Sequence, residues 1–181
     1  MKLVPGGMSK RFLINDVRVA ASTRTMLPKS VEVLVFEEDT NLILTVDREI
    51  YFQEEHPIRL MTEIYRAKAH PPGSLVKNDK SWYAVVIDLN AAKMCKPDWI
   101  STAYQQIFAD IEERKITTAA IHLLGTIHGK IAVKDAVNLF VTALQSRTFA
   151  SLRQVWLIAR AECLKEVQLE TAQLLQQSGA G

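Results

Sequence analysis

The feature that most constrains this sequence is a buried strand, a glycine loop and a periodic helix in immediate succession. Residues 119–124 form a short apolar run, and the loop after it contains Gly125 and Gly129. Over residues 131–144 apolar side chains recur at helical spacing. In an open α/β sheet, ligands bind just beyond the carboxyl ends of strands, where a helix N-terminus offers free N–H groups to an anion. This stretch is therefore the first place to look for a small-molecule site.

The same alternation continues on both sides of this stretch. Residues 82–89 are a near-continuous apolar run, typical of a central strand covered on both faces. A helix is predicted over 98–115, a strand over 154–159 and a final helix over 162–177. Such alternation favours right-handed βαβ units and a mostly parallel sheet.

The first third of the chain is richer in predicted strands. The apolar and β-branched runs that predict them cover residues 12–20, 31–36, 42–46 and, less clearly, 50–52. An acidic turn is predicted over 37–41, and a helix begins at Pro57 and continues to residue 68. The predicted fold class is therefore α/β, a three-layer α/β/α domain with a mixed, mostly parallel sheet.

Domain organisation is predicted to be simple. Residues 1–10 are expected to be a flexible leader and residues 11–181 a single domain, because no repeat or linker divides them. A chain of 181 residues is long enough to bury a core. Its 48% hydrophobic and 23% charged residues are typical of an ordinary soluble globular protein.

Composition also excludes several functional classes. A net charge of +2 is too small to predict nucleic-acid binding. No apolar run approaches the roughly 20 residues that span a bilayer. Cys95 and Cys163 are interpreted as reduced packing thiols of a cytoplasmic protein. His56 and His70 are too far apart for a helical metal pair, so no metal and no cofactor are predicted.

The second half resembles the macro-domain fold, which ADP-ribose-binding macro domains share with the N-terminal domain of leucine aminopeptidases. The resemblance covers roughly residues 75–177 in element order. The glycine loop looks like the family's diphosphate loop, which typically reads small residue, Thr, Gly, any residue, Gly, aromatic. Leu124-Gly125-Thr126 and Gly129 match this pattern, whereas Ile127 replaces the middle glycine and Lys130 replaces the glycine or aromatic residue.

The first half departs from the family. Macro domains that bind ADP-ribose carry a Gly-Asp-Ile-Thr-like turn, and here the corresponding position reads Glu38-Asp39-Thr40. Their Asn-Ala-Ala-Asn segment has no counterpart, and no glycine lies between Gly7 and Gly73. The comparison implies that half of the usual cleft is rebuilt or lost.

The predicted ligand-binding residues lie in two places. The loop from Gly125 through Thr126, Ile127, His128 and Gly129 to Lys130 is expected to hold a phosphate with its N–H groups and the lysine charge. The alternative is a tight strand-to-helix turn in which the glycines supply positive φ and nothing binds.

Asp88 and Asn90 close the central strand at its carboxyl end, where a ligand contact and simple turn chemistry are both open interpretations. His122 is predicted to be a hydrogen-bonded core histidine. The acidic residues 37–39 would repel phosphate if they lined the cleft.

Three functional hypotheses follow. The first is a module that binds a nucleotide or another phosphate-containing small molecule at the 125–130 loop. The second is a non-catalytic structural or protein-interaction domain, with Ile127 filling the cleft and an apolar surface forming a homo-oligomer. The third is a hydrolase of ADP-ribose derivatives. Enzymatic activity is left open.

Overall fold

The computed structural model of the chain describes residues 11–44 and 69–178, which form a seven-stranded mixed sheet with flanking helices. The strands are β1 (Arg11–Ile14), β2 (Val17–Ser22), β3 (Val33–Asp39), β4 (Leu75–Asn78), β5 (Ser81–Ile87), β6 (Thr118–His122) and β7 (Gln154–Ile158). The α-helices of these residues are α1 (Pro97–Glu113), α2 (Val133–Gln145) and α3 (Leu164–Ser178).

The strand order across the sheet is β1-β2-β7-β6-β3-β5-β4. The five inner strands are parallel, and β1 and β4 pair antiparallel at the two edges. The predicted three-layer α/β/α fold with a mixed, mostly parallel sheet is therefore confirmed. All five inner strands direct their carboxyl ends to the same edge of the sheet.

The helices pack side by side, α1 against α2 and α2 against α3. α1 and α2 bury the stripes that their periodicity predicts, and the ring centroids of Phe108 in α1 and Phe140 in α2 lie 6.2 Å apart. Burying one such side chain contributes roughly 1.5–3 kcal/mol. The aromatic contact therefore fixes α2, and with it the loop that precedes α2.

The N-terminal prediction of one strand over residues 12–20 is wrong. The chain forms two strands, β1 and β2, joined by a turn at Asn15 and Asp16. Their φ angles are 46° and 64°, a region that Asn and Asp adopt more readily than most residues. Asn15 Nδ2 also donates to the main-chain oxygen of Gln145 at 2.9 Å, so this turn covers the end of α2.

The acidic turn predicted over residues 37–41 is also wrong over most of its length, because β3 continues to Asp39. Acidic side chains are rarely buried without partners. Here Glu38 Oε2 accepts the N–H groups of Asp39 and Leu44, and Asp39 Oδ1 accepts the N–H of Asn41. These bonds allow consecutive carboxylates to remain inside the fold.

The remaining predictions concern residues at the edge of the described ranges or beyond them. Residues 41–44 form a turn and a bend rather than the start of a strand over 42–46. The leader over 1–10, the strand over 50–52 and the helix from Pro57 lie outside the described residues. Within 11–44 and 69–178, no helix has both the length and the apolar character needed to cross a membrane.

Candidate ligand-binding site

The loop between β6 and α2 is the centre of the candidate site. The chain turns at Gly125, whose φ of +82° favours glycine. The Ile131 N–H donates to the Gly125 oxygen at 2.9 Å and closes the loop before α2 begins at Val133. The predicted strand and helix on either side are confirmed, each two residues shorter at the loop.

This loop holds an anionic side chain of the protein itself. Glu37 in β3 is 1% exposed, and its Oε2 accepts the Gly125 N–H at 2.8 Å. Its Oε1 accepts the His128 N–H at 2.7 Å and lies 3.0 Å from His128 Nδ1. Convergent main-chain N–H groups of this kind bind anions such as phosphate. The loop is therefore an anion-binding element that Glu37 already occupies.

Packing beneath the loop explains its two glycines. A Cβ on Gly129 would lie 2.7 Å from the Cβ of Cys95 and 2.8 Å from the Gly125 oxygen. A Cβ on Gly125 would lie 2.6 Å from Ile100 Cδ1. Carbon atoms do not approach this closely without displacing a neighbour. Both glycines are therefore needed for internal packing, whether or not a ligand binds.

Cys95 is a buried free thiol, and Cys163 is a free thiol that is half-buried. Burial and, secondarily, the negative charge of Glu37 raise the pKa of Cys95 to about 11. Since the thiolate is the nucleophilic form, Cys95 acts here as a packing residue.

Asp88 and Asn90 form a turn after β5. Asp88 Oδ1 accepts the Asn90 N–H at 3.0 Å, and the Asp88 N–H donates to the Met94 oxygen at 2.8 Å. In the part of the chain that the structure describes, no hydrogen bond joins Asp88 or Asn90 to the glycine loop. Cys95, which lies seven residues after Asp88 in the sequence, packs against Gly129.

The outer part of the loop remains accessible. Thr126 Oγ1 donates to the Leu123 oxygen at 2.7 Å, so this hydroxyl is used within the loop. Ile127 is 37% exposed and does not fill a cleft, and Lys130 is also exposed. Across residues 11–44 and 69–178, no protein acceptor is found for the N–H groups of Ile127, Gly129 and Lys130.

A cavity of about 340 Å³ adjoins the loop. Its walls come from the segments that follow β2, β6 and β7, so it lies at the carboxyl ends of three adjacent strands. The described residues that line it are Thr23, Arg24, Thr25, His122, Ile127, Ile158, Ala159, Arg160 and Ala161. Its surface is mainly apolar, with the exposed arginines as its charged residues. Ile127 belongs to both the loop and the cavity, which makes the two features neighbours.

His122 lies in the lining of this cavity, beside Ile158 in the sheet register. Its ring is buried, its centroid lies 5.2 Å from that of Phe36, and neither ring nitrogen has a hydrogen-bond partner among the residues that the structure describes. Burial, followed by the positive charges of Arg24 and His128, lowers the pKa of His122 to about 4. The prediction of a core histidine is confirmed, but the prediction that it is hydrogen-bonded is wrong.

Sequence reasoning considered residues 37–39 only as acids that would repel phosphate if they lined the cleft, and it missed the other residues that contact the loop or the cavity from elsewhere. Glu37 and Cys95 reach it from β3 and from the segment before α1, and neither is close to it in sequence. Arg24 and Arg160 lie next to the cavity only because β2 and β7 are neighbours. The one available signal was the position of Glu37, an acidic residue directly after a β-branched strand.

The chemistry that these residues offer is binding through charge and hydrogen bonds. Cys95, with its pKa raised to about 11, and His122, with its pKa lowered to about 4, are both neutral at pH 7. Arg24 and Arg160 supply positive charge. Among residues 11–44 and 69–178, no group of three or more His, Cys, Asp or Glu side chains could hold a metal ion.

Comparison with known proteins identifies the fold. No protein-family model and no curated protein matches the sequence. The macrodomain of Oceanobacillus iheyensis solved with ADP matches with a TM-score of 0.66 and 14% identity, over 94% of this chain and 97% of that chain. A point mutant of the same macrodomain matches with a TM-score of 0.70 and 14% identity, over 96% and 98%.

Macro domains of other proteins match as well. The macro domain of ganglioside induced differentiation associated protein 2 has a TM-score of 0.58 and 14% identity, over 88% of each chain. The macrodomain of Thermus aquaticus DarG has a TM-score of 0.55 and 14% identity, over 78% of this chain and 98% of that chain. The chain therefore has a macro-domain-like fold, and the likeness extends beyond the second half to most of its length.

Proposed function

We propose that this protein binds a small molecule of the nucleotide type in the cavity at the carboxyl ends of β2, β6 and β7. The observation that carries the proposal is the cavity itself, about 340 Å³ in volume, with a mainly apolar lining and with Arg24 and Arg160 at its edge. Small-molecule pockets are typically about 300–1,000 Å³, mostly apolar, with a few polar groups that fix orientation.

The lining suits the two parts of a nucleotide. The apolar surface around Ile158, Ala159 and Ile127 can cover the face of a base. The guanidinium groups of Arg24 and Arg160 can bind phosphate oxygens, which they recognise with two parallel hydrogen bonds. The macro-domain-like fold supports the same ligand class, since one of the similar structures was solved with ADP.

The phosphate is assigned to the arginines rather than to the main chain of the 125–130 loop. Glu37 already accepts the N–H groups of Gly125 and His128, so these two donors are not free for a ligand. In this proposal the loop contributes one wall of the cavity through Ile127. Asp88 and Asn90 have no assigned contact with the ligand.

Calorimetric titration with AMP, ADP-ribose and inorganic phosphate tests the proposal. Arg160→Gln should weaken AMP binding by at least about tenfold, because a charge-assisted hydrogen bond contributes about 1.5–3 kcal/mol. Arg153→Gln is the matched control: Arg153 is also exposed but precedes β7, at the opposite end of the strand that Arg160 follows. Equal weakening by both substitutions would contradict the proposed position of the phosphate.

A second candidate is an interaction module without a small-molecule ligand. The observation that favours it is again Glu37, which fills the anion-binding position of the loop. If no titration produces heat at protein concentrations that detect weak binding, this candidate replaces the first. Light scattering would then measure whether the protein forms a homo-oligomer.

A further inference from the structure

We infer that Glu37 is a specificity-determining residue that excludes diphosphate groups from the 125–130 loop, so that the site favours nucleoside monophosphates over ligands with a diphosphate bridge. The preference among nucleotides rests on the proposed function. The exclusion from the loop rests on the contacts of Glu37 alone.

Glu37 already binds the N–H donors that a phosphate at this loop would need. One carboxylate accepts the N–H groups of Gly125 and His128 at 2.8 and 2.7 Å, and His128 Nδ1 lies 3.0 Å away. Carboxylate and phosphate oxygens use the same donors and the same distances. A phosphate placed at these N–H groups would therefore have to displace Glu37 or lie against it.

Neither Glu37 nor the 125–130 loop can easily move away from the other. Glu37 lies inside β3, where its main chain is paired with Ala84 of β5, and its side chain is 1% exposed. Gly129 already packs closely against Cys95, since a Cβ at Gly129 would lie 2.7 Å from the Cys95 Cβ, and this leaves the loop little room to move inward. Moving the Glu37 carboxylate into solvent would break its bonds to the N–H groups of Gly125 and His128.

Electrostatic repulsion from Glu37 also opposes a phosphate at the loop. A phosphate beside a buried carboxylate meets a like charge in a medium that screens it less than water does. The adjacent side chains of Glu38 and Asp39 are acidic too and supply no positive charge to offset this repulsion. Diphosphate is thus disfavoured at the loop, whereas one phosphate at Arg24 and Arg160 is not.

The test follows the amide signals of Gly125 and His128 by NMR during titration with inorganic pyrophosphate. The wild-type signals should not move, while in Glu37→Ala both should shift with saturation, and pyrophosphate should bind at least about tenfold more tightly. Glu37→Gln has nearly the same shape without the charge and should show a smaller gain. Glu38→Gln is the matched control, an equally buried residue of β3, and should behave as wild type.

Two results would overturn the inference. One is a saturable shift of the Gly125 and His128 amides when wild-type protein meets pyrophosphate. The other is a folded Glu37→Ala or Glu37→Gln variant that binds pyrophosphate no better than wild type. If Glu37→Ala does not fold, Glu37→Gln and the wild-type titration still decide the question.

Titration of the same proteins with AMP and ADP-ribose separates this inference from the proposed function. Wild type should bind AMP more tightly than ADP-ribose, and Glu37→Ala should reduce or reverse that preference. Absence of AMP binding by wild type would refute the proposed function but leave the pyrophosphate result to decide the role of Glu37. If wild type and Glu37→Ala show the same ratio of AMP affinity to ADP-ribose affinity, the inferred preference for nucleoside monophosphates is refuted.

Discussion

Acid should destabilise this protein because it protonates His122 in the unfolded chain before it does so in the fold, and the pKa shift of His122 gives the size of the effect. In the fold, burial lowers the pKa of His122 from 6.5 to about 4. As the pH falls through 6.5, the unfolded chain takes up a proton at this residue while the folded protein does not. The stability associated with neutral His122 is therefore complete above pH 6.5 and is lost as the pH falls towards 4. One pKa unit corresponds to about 1.36 kcal/mol, so the free energy of unfolding should fall by about 2 kcal/mol at pH 5 and about 3 kcal/mol at pH 4.

Urea unfolding, followed by tryptophan fluorescence between pH 7 and pH 4, measures this loss in wild type and in His122→Phe. Phenylalanine keeps a ring against Phe36 and cannot be protonated. Other acid-sensitive groups contribute too: hydrogen bonds lower the pKa values of Glu32 and Glu112, and burial raises that of Asp39. Both proteins share these groups, so their effects cancel when the two unfolding free energies are subtracted.

The free energy of unfolding of His122→Phe, relative to that of wild type, should rise by about 3 kcal/mol between pH 7 and pH 4. At pH 7 the variant should lose no hydrogen-bond energy, because the two ring nitrogens of His122 have no partners among the described residues. His122→Gln repeats the comparison with a smaller side chain and separates protonation from any packing defect of phenylalanine. A difference that stays constant across the pH range in both variants would refute the assignment of the acid sensitivity to His122.

Substitutions at three further positions test other contacts. Gly129→Ala should lower the free energy of unfolding by about 1–3 kcal/mol, because its Cβ would overlap Cys95; unchanged urea unfolding would contradict that contact. Asp39→Asn should raise the Tm at pH 7, because burial raises the pKa of Asp39 and its Oδ2 has no partner among the described residues. That gain should shrink in thermal melts at lower pH, where Asp39 itself takes up a proton. Asn15→Ala should cost about 1–2 kcal/mol and Asn15→Gly less, since glycine adopts a φ of 46° freely; equal losses would assign the whole effect to the hydrogen bonds with the end of α2.

The features that sequence predicts well are those that depend on neighbours along the chain. The apolar stripe of α2 recurs every three or four residues, and the structure buries the same side chains. β6 is likewise an apolar run that ends where the glycine loop begins. The alternation of such elements was enough to predict the layer architecture, because few topologies satisfy it.

The errors arise where a local pattern has two structural solutions. The apolar residues around Asn15 and Asp16 continue across the turn, so the pattern resembles one strand, although both turn residues tolerate positive φ. The acidic residues after Phe36 are typical of a turn, and only tertiary hydrogen bonds allow them to continue β3. His122 has the opposite problem, because an apolar strand indicates burial but gives no information on hydrogen-bond partners.

Glu37 shows both sources of error, because its acidic run is typical of a turn and its contacts with the loop come from a distant part of the chain. The sequence indicates only that the acidic residues 37–39 would repel phosphate if they lined the cleft, so removing Glu37 would simply weaken that repulsion. In the structure, Glu37 lies 91 residues before His128 and satisfies two N–H groups of the loop. Removing it leaves these donors without an acceptor, which costs about 1–3 kcal/mol per buried group. A bound phosphate would restore both bonds, so pyrophosphate should raise the Tm of a folded Glu37→Ala variant more than that of wild type.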